Sequence, residues 1–125
     1  MFSDKDKFHD AGLSVYSAVL DKKIEAIAPA LALPEICGVI RRSFGEQPAH
    51  MVEDKLLTLT ENKLVEIKEL TMERMKMSAE TAIRFGIKGG DAVFVSLAEE
   101  FNAQLTTFDE ELKKKIKDKV KLFKA

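Results

Sequence analysis

Apolar positions along the chain alternate between helical and strand spacing. Ser3 suits an N-cap, and Phe8, Ala11 or Gly12, Val15, Ala18 and Val19 recur at near-helical intervals. They predict an opening helix that ends around Asp21. Ile24 to Ala28 is an apolar run of strand length, and Pro29 suits the first position of a new helix. That helix is predicted over about Ala30 to Phe44, with Gly45 as its stop. Pro34 would cost about 3 kcal/mol in a regular helix interior, so a kink or one-turn break is expected just before Glu35, aiming that acid outward. Ile36, Val39 and Ile40 form the expected buried stripe, and Arg41 and Arg42 the exposed end.

Pro48 to about Thr60 reads as a third helix with Met51, Leu56, Leu57 and Leu59 available for burial. In residues 63–68, Val65 and Ile67 alternate with Glu66 and Lys68, the pattern of an edge strand with one wet face. A helix from Thr71 to Phe85 follows, closed by Gly86, with Met72, Met75 and Met77 expected as adaptable packing. Gly89 and Gly90 lead into Asp91, an N-cap or first-turn acid of a helix whose Val93, Leu97, Ala98 and Phe101 should face the core. Ala103 to Thr107 is the next buried strand, Asp109 caps a helix over Glu110 to Lys117, and Val120 to Phe123 alternates with Lys121 as a final edge strand. Helices separate every pair of strands, which predicts an α/β fold with a parallel sheet and right-handed crossovers.

Length and composition narrow this picture in two ways. The 125 residues, 46% hydrophobic, suit a single domain spanning 1–125. No apolar run approaches the roughly 20 residues that span a bilayer, and MFSDKDKF has no signal-peptide hydrophobic region, so a cytoplasmic protein without a membrane partner is expected. The net charge of −1 conceals an asymmetry: residues 113–125 hold seven Lys against one Asp, leaving 13 basic and 20 acidic residues before them. The lysine run could touch phosphates. The plainer and favoured reading is a solvated helix end complementing its own dipole.

Candidate chemistry is carried by acids. Cys37 is the one cysteine and His9 and His50 lie far apart, so no disulfide, Cys-based zinc cluster, HExxH motif or nucleophile–base pair is available. Any metal must be held by oxygen. Between Gly89 and Leu112 lies one helix-to-strand unit with Asp91 at its start and Asp109 after its strand, which would bring two carboxylates to one end of a parallel sheet. Helix capping alone would also account for both acids, and Glu35 taken alone is an ordinary surface acid.

Three segments resemble the PIN-domain family, the nuclease domain of VapC-type toxins and of RNA-processing and decay enzymes. PALALPEICGVIRR is similar to the family's second acidic motif, with Glu35 six residues after the proline. GGDAVFVSLAEEF resembles the third, and AQLTTFDEEL, a strand ending in Thr-x-Asp, the fourth. FHDAGLSVYSAVL also resembles the family's first helix. The resemblance covers about residues 4 to 123 and implies a PIN-like three-layer α/β/α fold with a mostly parallel sheet. It makes Glu35, Asp91 and Asp109 the metal-binding acids and Thr107 the hydroxyl that orients a carboxylate or water. Carboxylate oxygens suit Mg²⁺ or Mn²⁺. The implied activity is a metal-dependent endoribonuclease acting on RNA, the toxin of a toxin–antitoxin pair, with an antitoxin protein and a second copy of the chain as partners. The alternative is a catalytically impaired PIN-like module kept for oligomerisation or partner binding.

The sequence departs from the family at its start. The family's first acid ends the first, central strand of the sheet, and the chain here opens after that strand would have ended, so the domain reads as N-terminally truncated with that strand absent. Asp4 and Asp6 lie too near the first helix to replace the acid. A central strand buries several apolar side chains at about 1.5–3 kcal/mol each, on the order of 10 kcal/mol in all, against a typical domain stability of about 5–15 kcal/mol. Three explanations are open: a natural product that begins upstream of Met1, closure of the gap by rearrangement or another chain, or a decayed copy. An in-phase upstream reading frame encoding an apolar strand that ends in Asp is the expected finding under the first, and a stop codon at that place excludes it.

Overall fold

Pro34, which reads as an interruption of a helix, instead lies in a first turn, and Pro48 stands at a helix start as expected. The computed structural model describes residues 25–107, 110–117 and 119–122, and the expected opening helix before Ile24 lies outside them. The described elements are β1 (Ala26–Pro29), α1 (Ala32–Phe44), α2 (Glu46–Glu61), β2 (Val65–Lys68), α3 (Met72–Phe85), α4 (Gly89–Glu100) and α5 (Glu110–Ile116). Pro34 is the third residue of α1 and Pro48 the third of α2. The N–H groups of a first turn have no partner within the helix, so a proline there removes nothing. The kink expected before Glu35 is therefore absent, and α1 simply begins two residues ahead of Pro34. Gly45, at φ 102°, ends α1 and starts α2: its N–H donates to the Arg41 carbonyl (3.1 Å), and its own carbonyl accepts from Ala49 (3.3 Å).

The described residues fall into two compact units, one running to Glu69 and the other from Leu70 onward. In the first, β1 and β2 pair in parallel, with Ala26 opposite Val65 and Pro29 opposite Lys68. Parallel neighbours require a long crossover, which α1 and α2 supply. Pro29 closes β1 rather than opening a helix. The Ala30 N–H donates to the Lys68 carbonyl (2.9 Å), so Ala30 belongs to the parity that bonds to β2. Pro29 takes the other parity, where its missing N–H subtracts nothing from this ladder. The stripe expected on α1 is not buried: Ile36 and Val39 are exposed, and Ala32 is the helix's buried residue. On α2, Leu59 is buried while Met51 and Leu57 are exposed. Cys37 is half-buried.

The second unit is built around α4. Ala92, Val93, Val95, Ser96, Leu97 and Ala98 are all buried, so this helix is covered on nearly every side. Val95 and Ala98 form one cluster with Leu105, Leu112 and Ile116, and Phe85, Ile87, Phe94, Val120 and Leu122 pack against it. Among the described residues, the strands expected at 103–107 and 120–123 are represented by a single parallel bridge, Leu105 to Leu122, with the Leu105 N–H donating to the Lys121 carbonyl (2.8 Å). Phe101, expected in the core, is 39% exposed and lies beside the Arg74 guanidinium instead.

Three corners leave their helices in the same way. Lys63, Gly86 and Asn102 each adopt positive φ, and the next residue's N–H bonds back five residues: Leu64 to Leu59, Ile87 to Ala82, Ala103 to Ala98. This 6→1 closure satisfies carbonyls that a helix end otherwise leaves open. Thr71 starts α3 by accepting the Arg74 N–H on Oγ1 (3.2 Å). The face α3 turns to the unit interior is polar, with Ser78 and Thr81 buried and their hydroxyls donating to Arg74 and Met77 carbonyls within the helix. Met72, Met75 and Met77 are consequently not packing residues: they are 70%, 41% and 43% exposed.

The contrast between these positions gives the expected result of thermal and denaturant unfolding. Ile116→Ala, at a fully buried site, should destabilise by about 2–5 kcal/mol. Met72→Ala should stay within about 0.5 kcal/mol.

Candidate active site

Each of the two described candidate acids is placed by a helix start. Glu35 lies in the first turn of α1, directly after Pro34, and its backbone N–H makes the turn's bond to the Leu31 carbonyl (3.2 Å). Its side chain is exposed. Asp91 is the third residue of α4, held between Gly90 and the fully buried Ala92. It is half-buried.

Capping does not account for Asp91. The N-cap of α4 is Lys88, in extended conformation (φ −64°, ψ 150°), and no side chain caps this end. Among the described residues neither the Asp91 nor the Glu35 carboxylate has a hydrogen-bond or ion-pair partner. Both carboxylates thus keep their oxygens accessible at helix N-termini, where a negative charge is favoured by the backbone dipoles.

Thr107 is half-buried and ends the described segment that carries Leu105. Asp109 lies outside the described residues. Glu35 belongs to the unit that ends at Glu69 and Asp91 to the one that begins at Leu70. No group of three His, Cys, Asp or Glu side chains is brought together among the described residues. His50 lies on the exposed face of α2 beside Glu46 and Glu53 and belongs to no such group.

Two other acids of the second unit, Glu99 and Glu100, are engaged by arginines. Glu100 accepts Nε (3.1 Å) and Nη2 (3.1 Å) of Arg74, a two-point contact between the start of α3 and the end of α4. Glu99 accepts Nη2 of Arg84. Lys115, expected to complement its own helix, instead donates Nζ to the Gly86 carbonyl (3.2 Å) at the end of α3. Sequence reasoning did not single out Arg84, because nothing local to it signals that α3 and α5 end side by side.

No described helix is long and apolar enough to cross a membrane. No curated protein matches the chain. The family model described as PIN domain matches residues 3–117. That match covers most of the sequence and runs through both compact units, and the helix-rich arrangement with a small parallel sheet agrees with it. This chain belongs to the PIN-domain family, whose members are generally metal-dependent nucleases.

Proposed function

We propose that this chain is a metal-dependent endoribonuclease in which Glu35, Asp91 and Asp109 hold Mg²⁺ or Mn²⁺ and Thr107 orients a carboxylate or water. The observation that carries the reading is that the two described acids, Glu35 and Asp91, stand in first turns with no protein partner among the described residues. Glu99 and Glu100, by contrast, are held by arginines. The donor set fits a hard divalent ion, which takes carboxylate oxygen and retains several waters. Such an ion, when bound, activates a water and stabilises charge on a scissile phosphate. The chain's own part is to present these carboxylates, and to place Thr107 two residues before Asp109. No side-chain nucleophile is needed, which suits a sequence without Ser/His or Cys/His pairs.

The family match runs across both compact units, and this supports reading residues 1–125 as one PIN domain. We assign it to the cytoplasm as the toxin of a toxin–antitoxin pair, acting on RNA as a homodimer. Met72, Met75, Ala79 and Ile83 recur at helical spacing on one exposed stripe of α3, a surface available to a protein partner such as an antitoxin. The same stripe favours the second reading, a PIN-like module whose incomplete acid set leaves binding rather than catalysis.

Two measurements separate these readings. RNA cleavage by the purified chain should require Mn²⁺ or Mg²⁺, and Asp91→Asn should lower it more than about 100-fold, beyond the 10–100-fold typical of residues behind a metal's ligands. Unchanged cleavage in that variant would remove the mechanism. Excess Mn²⁺ should also raise the melting temperature, since binding at 100 times Kd stabilises by about 2.7 kcal/mol. Chelator or Asp91→Asn should abolish the shift, and no shift in the native chain favours the binding module.

A further inference from the structure

We infer that a basic cleft beside the corner between α3 and α4 is a docking surface for the phosphate backbone of single-stranded RNA. This deepens the ribonuclease reading and rests on it. The cleft encloses about 520 Å³ and is lined by Arg84, Phe85, Glu99, Lys115, Lys117 and Lys119. Among the described residues four cations thus line the cleft with one acid, and that acid is already engaged by Arg84. Lys117 and Lys119 have no ion-pair partner among the described residues. Gathering unpaired like charges around one hollow is unfavourable in itself, and an anion in the hollow reverses the sign of that interaction.

The construction of the cleft favours a polyanion with bases over a small isolated anion. The Arg84 guanidinium lies over the Phe85 ring, 4.5 Å from its centroid, and is also held by Glu99, so its plane is fixed while its side chain remains 56% exposed. A fixed guanidinium plane offers both a phosphate contact and a stacking surface, the two features with which proteins track single strands. Lys115 is anchored by its bond to the Gly86 carbonyl. The lysines therefore border the cleft at alternate positions, 115, 117 and 119, rather than as a uniform coat.

Position links the cleft to the candidate site within the same compact unit. Gly86, which Lys115 holds, precedes Asp91 by five residues, so their backbones are at most about 18 Å apart. A strand with phosphates in the cleft would have a neighbouring stretch within reach of Asp91. The body of the chain is acidic, so this local cluster is the part of the unit able to offset its repulsion of RNA.

The test is anisotropy of a short fluorescein-labelled single-stranded RNA with the full chain in EDTA, which reads binding without hydrolysis, across a KCl series. Lys115→Gln/Lys117→Gln/Lys119→Gln should weaken binding about 10-fold or more and make the slope of log K against log [KCl] shallower by about 2, near 0.7 per lost phosphate contact. Lys117→Gln/Lys119→Gln, which leaves the Gly86 contact intact, should lose about 1.4 of that slope and retain the native melting temperature. Arg41→Gln/Arg42→Gln, on α1, should leave the slope as it is. Equal affinity and slope in the native chain and the triple variant overturn the inference, as does an equal loss in the Arg41/Arg42 variant. A native chain that binds through the cleft but fails to cleave with Mn²⁺ overturns the ribonuclease reading and leaves the cleft standing. Cleavage with unchanged binding by the triple variant overturns only the cleft.

Discussion

Burial of α4 is the constraint on which the second half of the chain depends. Nearly every side chain from Ala92 to Ala98 is removed from water. A helix covered on all sides must be enclosed by other elements, and here α3, α5 and the Leu105–Leu122 bridge supply the cover. The same burial fixes the backbone of Asp91, one residue ahead of fully buried Ala92. An acid at that point cannot shift without moving the core, yet it remains outside the apolar cluster and reachable from solvent.

Polar contacts then set how α3 meets this helix. Ser78 and Thr81 are small enough to let the helices approach, and by bonding to carbonyls of their own helix they bury no unpaired hydroxyl. Arg74 with Glu100 and Arg84 with Glu99 join α3 to the last turn of α4. Because the polar stripe of α3 faces inward, its apolar stripe is left outside, which is why the methionines are exposed rather than packed. Long arginines can make these bonds from partly exposed positions, their stems lying along apolar surface, as Arg84 does over Phe85.

Much of the fold was readable from local chemistry. Thr71 and Gly86 marked both ends of α3, Gly45 marked the α1–α2 corner, and the alternation in residues 65–68 marked β2. Pro34 misled because proline signals a helix boundary without saying on which side: the reading put the break inside a helix begun at Ala30, whereas the helix starts at Ala32. The periodicity of Ile36 and Val39 and of the α3 methionines misled differently. An apolar stripe says that a helix has a face suited to burial, and only the neighbouring elements decide whether that face is covered. In the candidate site, the types and order of the acids were legible, as was the place of Asp91 at a helix start, whereas Glu35 was read behind a kink rather than in a first turn.

The sequence by itself determined the alternation of helices and strands, the parallel pairing this forces, and the family, because capping residues, glycines at positive φ and apolar spacing act within a few residues of one another. Tertiary structure decided what is buried. It placed α4 at the centre of its unit, turned α3 polar face inward, left Asp91 and Glu35 without partners among the described residues, and set the lysines of the α5 end around Arg84. These depend on residues tens of positions apart, whose encounter is governed by how whole faces pack and which charges that packing leaves unpaired.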